Sequence, residues 1–203
     1  MKIEQCTVTP FESNCYILQS ADGVVLIDPG GDTSTILKIL NNRPVLAVLL
    51  THGHYDHIGA LNDILAQHTA VQVYIGKADK AYLYRPSLNL SVMSDTPFTY
   101  KGEAVAIEEG QFSIGGLSFK ALSMPGHTPG FVIYIIDGTM FSGDVLFFNS
   151  IGRTDLPGGD WNVMMKSLAR FVDITDDLRV LPGHGPETTL DQEKQYNPFL
   201  KNV

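Results

Sequence analysis

Thr51-His52-Gly53-His54-Tyr55-Asp56-His57 packs three of the chain's six histidines and one aspartate into six consecutive positions. Val45 to Leu50 (VLAVLL) precede it as a short apolar run rich in β-branched residues. Ile58, Leu61 and Leu65 follow at helical spacing. The stretch therefore reads as a strand-to-helix turn, where side chains can converge on one point. In the extended part alternate residues share a face, so His52 and His54 can grip one cation together. Asp56 and His57, turning into the helix, face a slightly different point that suits a second cation. A neutral imidazole offers a ring nitrogen to a metal, and a carboxylate adds charge and an oxygen donor. A single histidine here would read as a solvated loop residue; H-x-H-x-D-H at a strand end favours metal.

Three further segments extend the constellation. Pro125-Gly126-His127-Thr128-Pro129-Gly130 sets a histidine in a turn bracketed by prolines and glycines. Ser142-Gly143-Asp144 ends one strand with an aspartate, and Pro182-Gly183-His184-Gly185 ends another with a histidine. With the first cluster they account for five of the six histidines. His68, at a helix end, is left over and reads as a surface residue.

Taken together in chain order, these segments resemble the metallo-β-lactamase superfamily of metal-dependent hydrolases. The resemblance implies an α/β fold, a four-layer αββα sandwich with two sheets face to face and helices outside. It implies His52, His54 and His127 as ligands of a first metal, Asp56, His57 and His184 as ligands of a second, and Asp144 as the bridge. Asp28 matches an aspartate that buttresses the site by hydrogen-bonding toward a ligand. The cofactors implied are two divalent transition metals, zinc first, with iron or manganese as alternatives.

The bridging position narrows the activity. The superfamily's β-lactamases lack the bridging aspartate, so Asp144 points instead to glyoxalase II-type thioesterases. The run Ile151-Gly152-Arg153-Thr154-Asp155-Leu156-Pro157-Gly158-Gly159-Asp160 and the tail PETTLDQEKQYNPFL resemble a short, single-domain branch of glyoxalase II-like hydrolases. Full-length glyoxalase II has a helical C-terminal domain that contacts glutathione, and this chain stops soon after His184, which leaves the carrier thiol open. The implied chemistry is attack on a (2-hydroxy)acyl thioester by a hydroxide held between two cations, with Asp56 orienting it or taking its proton. No G-x-S-x-G nucleophile motif is found.

Three alternatives stand beside this one. Persulfide dioxygenases share the fold and a similar G-R-T-D segment, and use one iron; here it would be held by His52, His127 and Asp144. A lactonase or other ester hydrolase of the superfamily is another, and a metal-binding module without turnover a third. Tyr55, Arg153 and Asp155 are candidate substrate contacts, although Arg153 and Asp155 read equally well as a pair that fixes their own loop.

At 203 residues, with 44% hydrophobic and 18% charged residues, the chain reads as one globular domain over 1–203. A formal charge of −8 without a Lys/Arg cluster disfavours a nucleic-acid partner and leaves a small-molecule substrate. The start, MKIEQCTVTP, shows no signal peptide and no apolar run is long enough for a membrane span, so cytoplasm is expected. Cys6 and Cys15 fall in two strand-like runs that can form a hairpin; two reduced thiols are expected rather than a disulfide. Elsewhere the patterning predicts a helix over Ile36–Leu40 capped by Asp32 or Thr33. It also predicts a short helix at Lys77–Tyr84, and a helix behind Asp160 with Trp161, Met164, Leu168 and Phe171 as a core stripe. A terminal helix is read across TTLDQEKQYNPFL. Arg85 to Gly102 fits no regular pattern and reads either as a binding loop or as a loop pinned to the core by Leu88, Leu90, Met93, Phe98 and Tyr100.

Overall fold

The computed structural model describes residues 1–9 and 11–202. The first half builds β1 (Ile3–Val8), β2 (Ser13–Gln19), β3 (Val24–Ile27), α1 (Thr33–Leu40), β4 (Val45–Leu49), α2 (Tyr55–Ile58), α3 (Leu61–Gln67) and β5 (Gln72–Gly76). A 3₁₀ segment (Lys77–Tyr84), α4 (Pro86–Asn89) and β6 (Ala104–Ile107) follow. The second half contributes β7 (Gly110–Ile114), β8 (Leu117–Ser123), β9 (Val132–Ile136), β10 (Thr139–Gly143), α5 (Trp161–Ala169), β11 (Arg179–Pro182), β12 (Thr188–Thr189) and α6 (Leu190–Tyr196). Two sheets of six strands result, ordered β1-β2-β3-β4-β5-β6 and β12-β11-β10-β9-β8-β7. The first turns from antiparallel to parallel at β3, and the second is antiparallel except for β10 beside β11.

Strand alternation explains the layering. In β3, Val24 and Leu26 pack outward with Ile36 and Leu40 of α1 and Ile64 of α3, while Val25 and Ile27 face the second sheet. In β9, Ile133 packs outward with Met164 and Leu168 of α5, and Val132, Tyr134 and Ile136 face the first sheet. A strand buried on both sides must be apolar at every position, as VVLI is. Each such side chain contributes about 1.5–3 kcal/mol on burial. Helix, sheet, sheet and helix thus stack in four layers, the αββα sandwich that the resemblance implies. Among the described residues no helix is long and apolar enough to cross a membrane.

Several local expectations change. Asp32 sits at φ 43° and makes no side-chain cap to α1. Its carboxylate instead accepts from Thr9 N and Oγ1, at 2.8 and 2.7 Å. Asp160 does cap α5, accepting from Val163 N at 2.9 Å. Trp161 departs from the core stripe: it is 49% exposed, with its ring 6.2 Å from that of Phe199, whereas Met164, Leu168 and Phe171 are fully buried. The terminal helix begins only at Leu190, because Thr188–Thr189 pair with β11 first. His68 caps the C-terminal end of α3 and is half-buried rather than a free surface residue. Cys6 and Cys15 face each other across β1 and β2 as free, buried thiols.

The irregular stretch 85–102 divides in two. Phe98 and Tyr100 are buried in the core beneath α1 and α3. Buried Asn89 pins the segment by donating to the carbonyls of Tyr82 and Phe98, and Ser91 Oγ accepts from Phe98 N at 2.7 Å. Met93, by contrast, is 78% exposed.

Candidate metal centre

Every candidate ligand sits just beyond the end of a strand, on one edge of the sandwich. β4 runs out at Leu49, and Thr51 O accepts from Val132 N at 2.9 Å, which ties this end to the second sheet. His52 and His54 follow in extended backbone, and α2 opens at Tyr55. Gly53 lies so close to Tyr82 that a Cβ there would collide with the tyrosine's own. His127 stands in the turn between β8 and β9, Asp144 just past β10, and His184 just past β11. A Cβ on Gly183 would strike the Asp144 carboxylate, so that position also requires glycine.

The candidate ligands fall into two groups, and Asp28 makes a further close group with His52 and His57. His52, His54 and His127 lie within 4.8 Å of one another, and so do Asp56, His57 and His184. His54 Nδ1 is 2.9 Å from His127 Nε2, and His184 Nε2 is 3.1 Å from Asp56 Oδ2. Asp144 stands between the groups, with Oδ1 3.4 Å from His57 Nε2 and Oδ2 3.7 Å from His127 Nε2 and 3.6 Å from His184 Nε2.

Proton counting shows how the rings are aimed. Thr51 Oγ1 lies 2.6 Å from Asp28 Oδ2 and 3.1 Å from His52 Nδ1. A hydroxyl has one hydrogen, and an ionised carboxylate can only accept. Thr51 therefore donates to Asp28 and accepts from His52 Nδ1–H. His57 Nδ1 also donates to Asp28 Oδ2, at 3.0 Å. His127 Nδ1 donates to the Arg153 carbonyl at 2.7 Å, and His184 Nδ1 to the Phe11 carbonyl at 3.1 Å. Four rings thus commit Nδ1 as a donor and turn Nε2 toward the site. His54 presents Nδ1 instead.

These partners leave a specific deficit. His52 Nε2, His57 Nε2, His54 Nε2 and Asp144 Oδ1 are buried with no hydrogen-bond partner in the protein. Each orphaned polar atom costs about 1–3 kcal/mol. His52 Nε2 and His57 Nε2 belong to rings that turn that nitrogen toward the site, and Asp144 Oδ1 lies beside His57 Nε2; cations there would supply what these three lack, whereas His54, which presents Nδ1, would keep its Nε2 unpaired. The donor set of imidazole nitrogen and carboxylate oxygen fits divalent transition metals.

Electrostatics separates the groups. Burial, reinforced by the neighbouring imidazoles of His57, His54 and His127, holds His52 well below the usual histidine range. Burial likewise pushes His54 down to about 3. These rings are neutral and able to ligate. At His57 burial pulls the same way, yet the carboxylates of Asp56, Asp144 and Asp28 outweigh it and hold the ring well above the usual range. Burial would raise Asp144, but His57 holds its carboxyl well below the usual carboxylate range. The second group is therefore a concentration of negative charge that draws a proton or a metal ion.

Sequence reading missed the residues that hold these loops. Asp79, fully buried in the 3₁₀ segment, accepts from Thr128 Oγ1 at 2.5 Å, from Gly130 N at 2.6 Å and from Gly53 N. It ties the first histidine loop to the His127 turn. Asn14 does the same for His184, donating to the carbonyls of Pro182 and Gly185, with its own N–H on Gly183 O. Thr51 was visible as the first letter of the motif; Asp79 and Asn14 carried no local signal.

The sequence profile of the Metallo-beta-lactamase superfamily matches residues 8–184. The chain belongs to this superfamily. "Probable metallo-hydrolase YqgX" of Bacillus subtilis is 38% identical, over 98% of each chain. "Hydroxyacylglutathione hydrolase GloC" of Haemophilus influenzae is 33% identical, covering 100% of this chain and 99% of that one. Among solved structures, the BLEG-1 B3 metallo-beta-lactamase has a TM-score of 0.91 at 37% identity, covering 98% of this chain and 99% of its own. TTHA1623 in a di-iron-bound form has a TM-score of 0.88 at 35% identity, covering 97% and 100%. This superfamily member is accordingly a metallo-hydrolase whose histidine and aspartate groups are suited to divalent metal ions.

The metallo-hydrolase centre opens into a cavity of about 740 Å³. Tyr55 and Arg153 line it; Asp155 does not. Arg153 and Asp155 form a two-pronged ion pair in solvent, Nε to Oδ1 at 2.6 Å and Nη2 to Oδ2 at 2.7 Å. The two side chains thus pair with each other within their own loop. Arg153 nonetheless serves the centre through its backbone carbonyl on His127.

Proposed function

We propose that the protein is a dinuclear metal hydrolase of small (2-hydroxy)acyl thioesters, a glyoxalase II-like thioesterase acting on a small molecule in the cytoplasm. The observation that carries the reading is Asp144, whose two carboxylate oxygens reach toward both ligand groups. His52, His54 and His127 would hold one ion and Asp56, His57 and His184 the other, with Asp144 shared. When bound, such a pair supplies Lewis acidity toward a carbonyl oxygen and brings the pKa of water to around 7. Zinc is the metal proposed; the same donors accept iron or manganese, and the di-iron form of TTHA1623 supports keeping iron in the test.

The chain's own groups supply position and proton transfer. Asp56 lines the cavity, and His184 occupies its Oδ2 at 3.1 Å. Its other oxygen is available to orient a water and accept its proton as the water oxygen adds to the carbonyl carbon. The C–S bond then breaks, and the proton passes to the departing thiolate. The GloC relative's name supports a thioester, and the charge of −8 argues against a nucleic-acid substrate. Asp144 argued against β-lactam hydrolysis, but a fold neighbour bearing that name at 37% identity makes a β-lactam a necessary comparison substrate.

The test is anaerobic hydrolysis of a lactoyl thioester by the zinc, iron and manganese forms, beside a lactone, a β-lactam and an oxygen-uptake assay with a low-molecular-weight persulfide. Thioester turnover without oxygen is expected, and His184→Ala should remove most of it. Inert thioesters in every metal form, with rapid persulfide-dependent oxygen uptake that survives His184→Ala, would show a mononuclear iron dioxygenase instead.

A further inference from the structure

The cavity mouth combines large apolar groups with a charge balance that is unfavourable to anions. Phe11 comes from the β1–β2 turn, Leu90 and Met93 from the segment after α4, Phe147 from beyond β10, and Leu156 from the Arg153 loop; Tyr55 stands on α2. Phe11 is 60% and Met93 78% exposed. Large apolar side chains from separate segments, left in water around one opening, mark a surface that gains by covering.

The charges at the same opening point the same way. Among the described lining residues Arg153 is the sole Lys or Arg, and its charge is already paired with Asp155 through Nε and Nη2. Asp95 adds an uncompensated carboxylate at the rim. Glutathione carries two carboxylates against one ammonium, a net negative charge, and coenzyme A carries phosphates; at the rim either would meet Asp95 and, among the described lining residues, no Lys or Arg outside an ion pair. Recognition of carboxylate or phosphate ordinarily relies on an unpaired Arg or Lys.

We infer that the cavity selects acyl thioesters of an uncharged, apolar thiol over those of an anionic carrier such as glutathione. The inference rests on the thioesterase reading above. The leaving group would lie against Phe11 and Met93, and Asp95 would turn away carriers bearing carboxylates. A cavity of about 740 Å³ holds a substituent much larger than the acyl group alone.

One lactoyl group on three thiols tests this: glutathione, glutathione diethyl ester and benzyl mercaptan. We expect kcat/KM to be about tenfold or more higher for the benzyl thioester than for the glutathione one, with the diethyl ester between. Added salt should narrow the gap by screening Asp95. Asp95→Lys should raise kcat/KM for the glutathione thioester alone, and Met93→Ala should raise KM for the benzyl thioester alone. Equal or better kcat/KM with glutathione, unchanged by Asp95→Lys, overturns the inference while leaving the thioesterase reading intact. If no thioester turns over, that reading fails. Calorimetric binding of the non-hydrolysable thioethers of the same thiols then decides the selectivity on its own: tighter binding of the benzyl compound sustains it, and equal or tighter binding of the glutathione compound overturns it.

Discussion

Thr51→Val replaces a hydroxyl by a methyl of similar size at the junction between Asp28 and His52. Two hydrogen bonds disappear: the 2.6 Å donation to the Asp28 carboxylate and the 3.1 Å bond from His52 Nδ1–H. A bond to a charged group contributes about 1.5–3 kcal/mol and a neutral one about 0.5–1.5, so the metal-free protein should lose about 2–4 kcal/mol. Asp28 keeps Thr51 N at 2.8 Å and His57 Nδ1 at 3.0 Å, so the second group remains aimed. The damage falls on His52, whose Nδ1–H is left buried and whose tautomer is no longer imposed. Loss of such a partner lowers metal affinity by about 10–100-fold. Competition with a chromophoric chelator should therefore show one weakened site of two, while Thr51→Ser, which keeps the hydroxyl, stays near wild type. Wild-type affinity at both sites in Thr51→Val, or an equal loss in Thr51→Ser, would refute the proton-counting argument.

Other perturbations separate the remaining roles. Asp144→Ala should lose tight metal at both positions, seen as less than one tightly held ion per chain by elemental analysis; one ion at full occupancy would contradict a shared ligand. Phe98→Ala should cost about 3–5 kcal/mol in urea unfolding, as buried aromatics do, whereas Met93→Ala should change stability by no more than about 0.5 kcal/mol. Asp79 gives a pH signature, because burial pushes its carboxyl up to about 6 although Thr128, Gly130 and Gly53 hydrogen-bond to it. The folded state then binds its proton more tightly than the unfolded chain does, so stability attributable to Asp79 falls as pH rises from about 4 to about 6, by roughly 3 kcal/mol. Asp79→Asn should flatten that part of the profile in the metal-free protein, and parallel profiles for the two proteins would exclude the effect.

The strands were legible as short apolar runs, while the four-layer arrangement came from the family resemblance, because an apolar run does not say which layer covers it. VLAVLL and VVLI predict strands buried on both faces, and the helices beside them show a single apolar stripe. What escaped did so for physical reasons. β6 (AVAI) is an edge strand of four residues with Val105 42% exposed, too short for any period to register. Asp32 stands in the sequence position of a cap, but a tertiary partner, Thr9, takes both carboxylate oxygens. Trp161 keeps helical spacing with Met164 and Leu168, yet it opens the first turn of α5, where it is left 49% exposed.

The centre divides along a different line. Its candidate ligands were readable since metal chemistry asks for particular side chains, and the period-two spacing of His52 and His54 puts those two on one face. The atoms that aim those ligands are of another kind. Arg153 and Phe11 act on His127 and His184 through backbone carbonyls, which every residue type possesses. Asn14 meets the His184 loop across a sequence separation of 168, and Asp79 meets Thr128 across 49. No local pattern records such meetings, because the fold creates them. The Arg153 loop illustrates the consequence most sharply: its guanidinium pairs with Asp155 in solvent, and its carbonyl accepts from Nδ1 of a candidate ligand, His127. Replacing Arg153 should therefore leave the tautomer of His127 untouched, while any change that shifts the backbone between Gly152 and Thr154 should weaken the first metal group. In this centre, side-chain identity selects what can bind a metal, and backbone position decides whether it is presented.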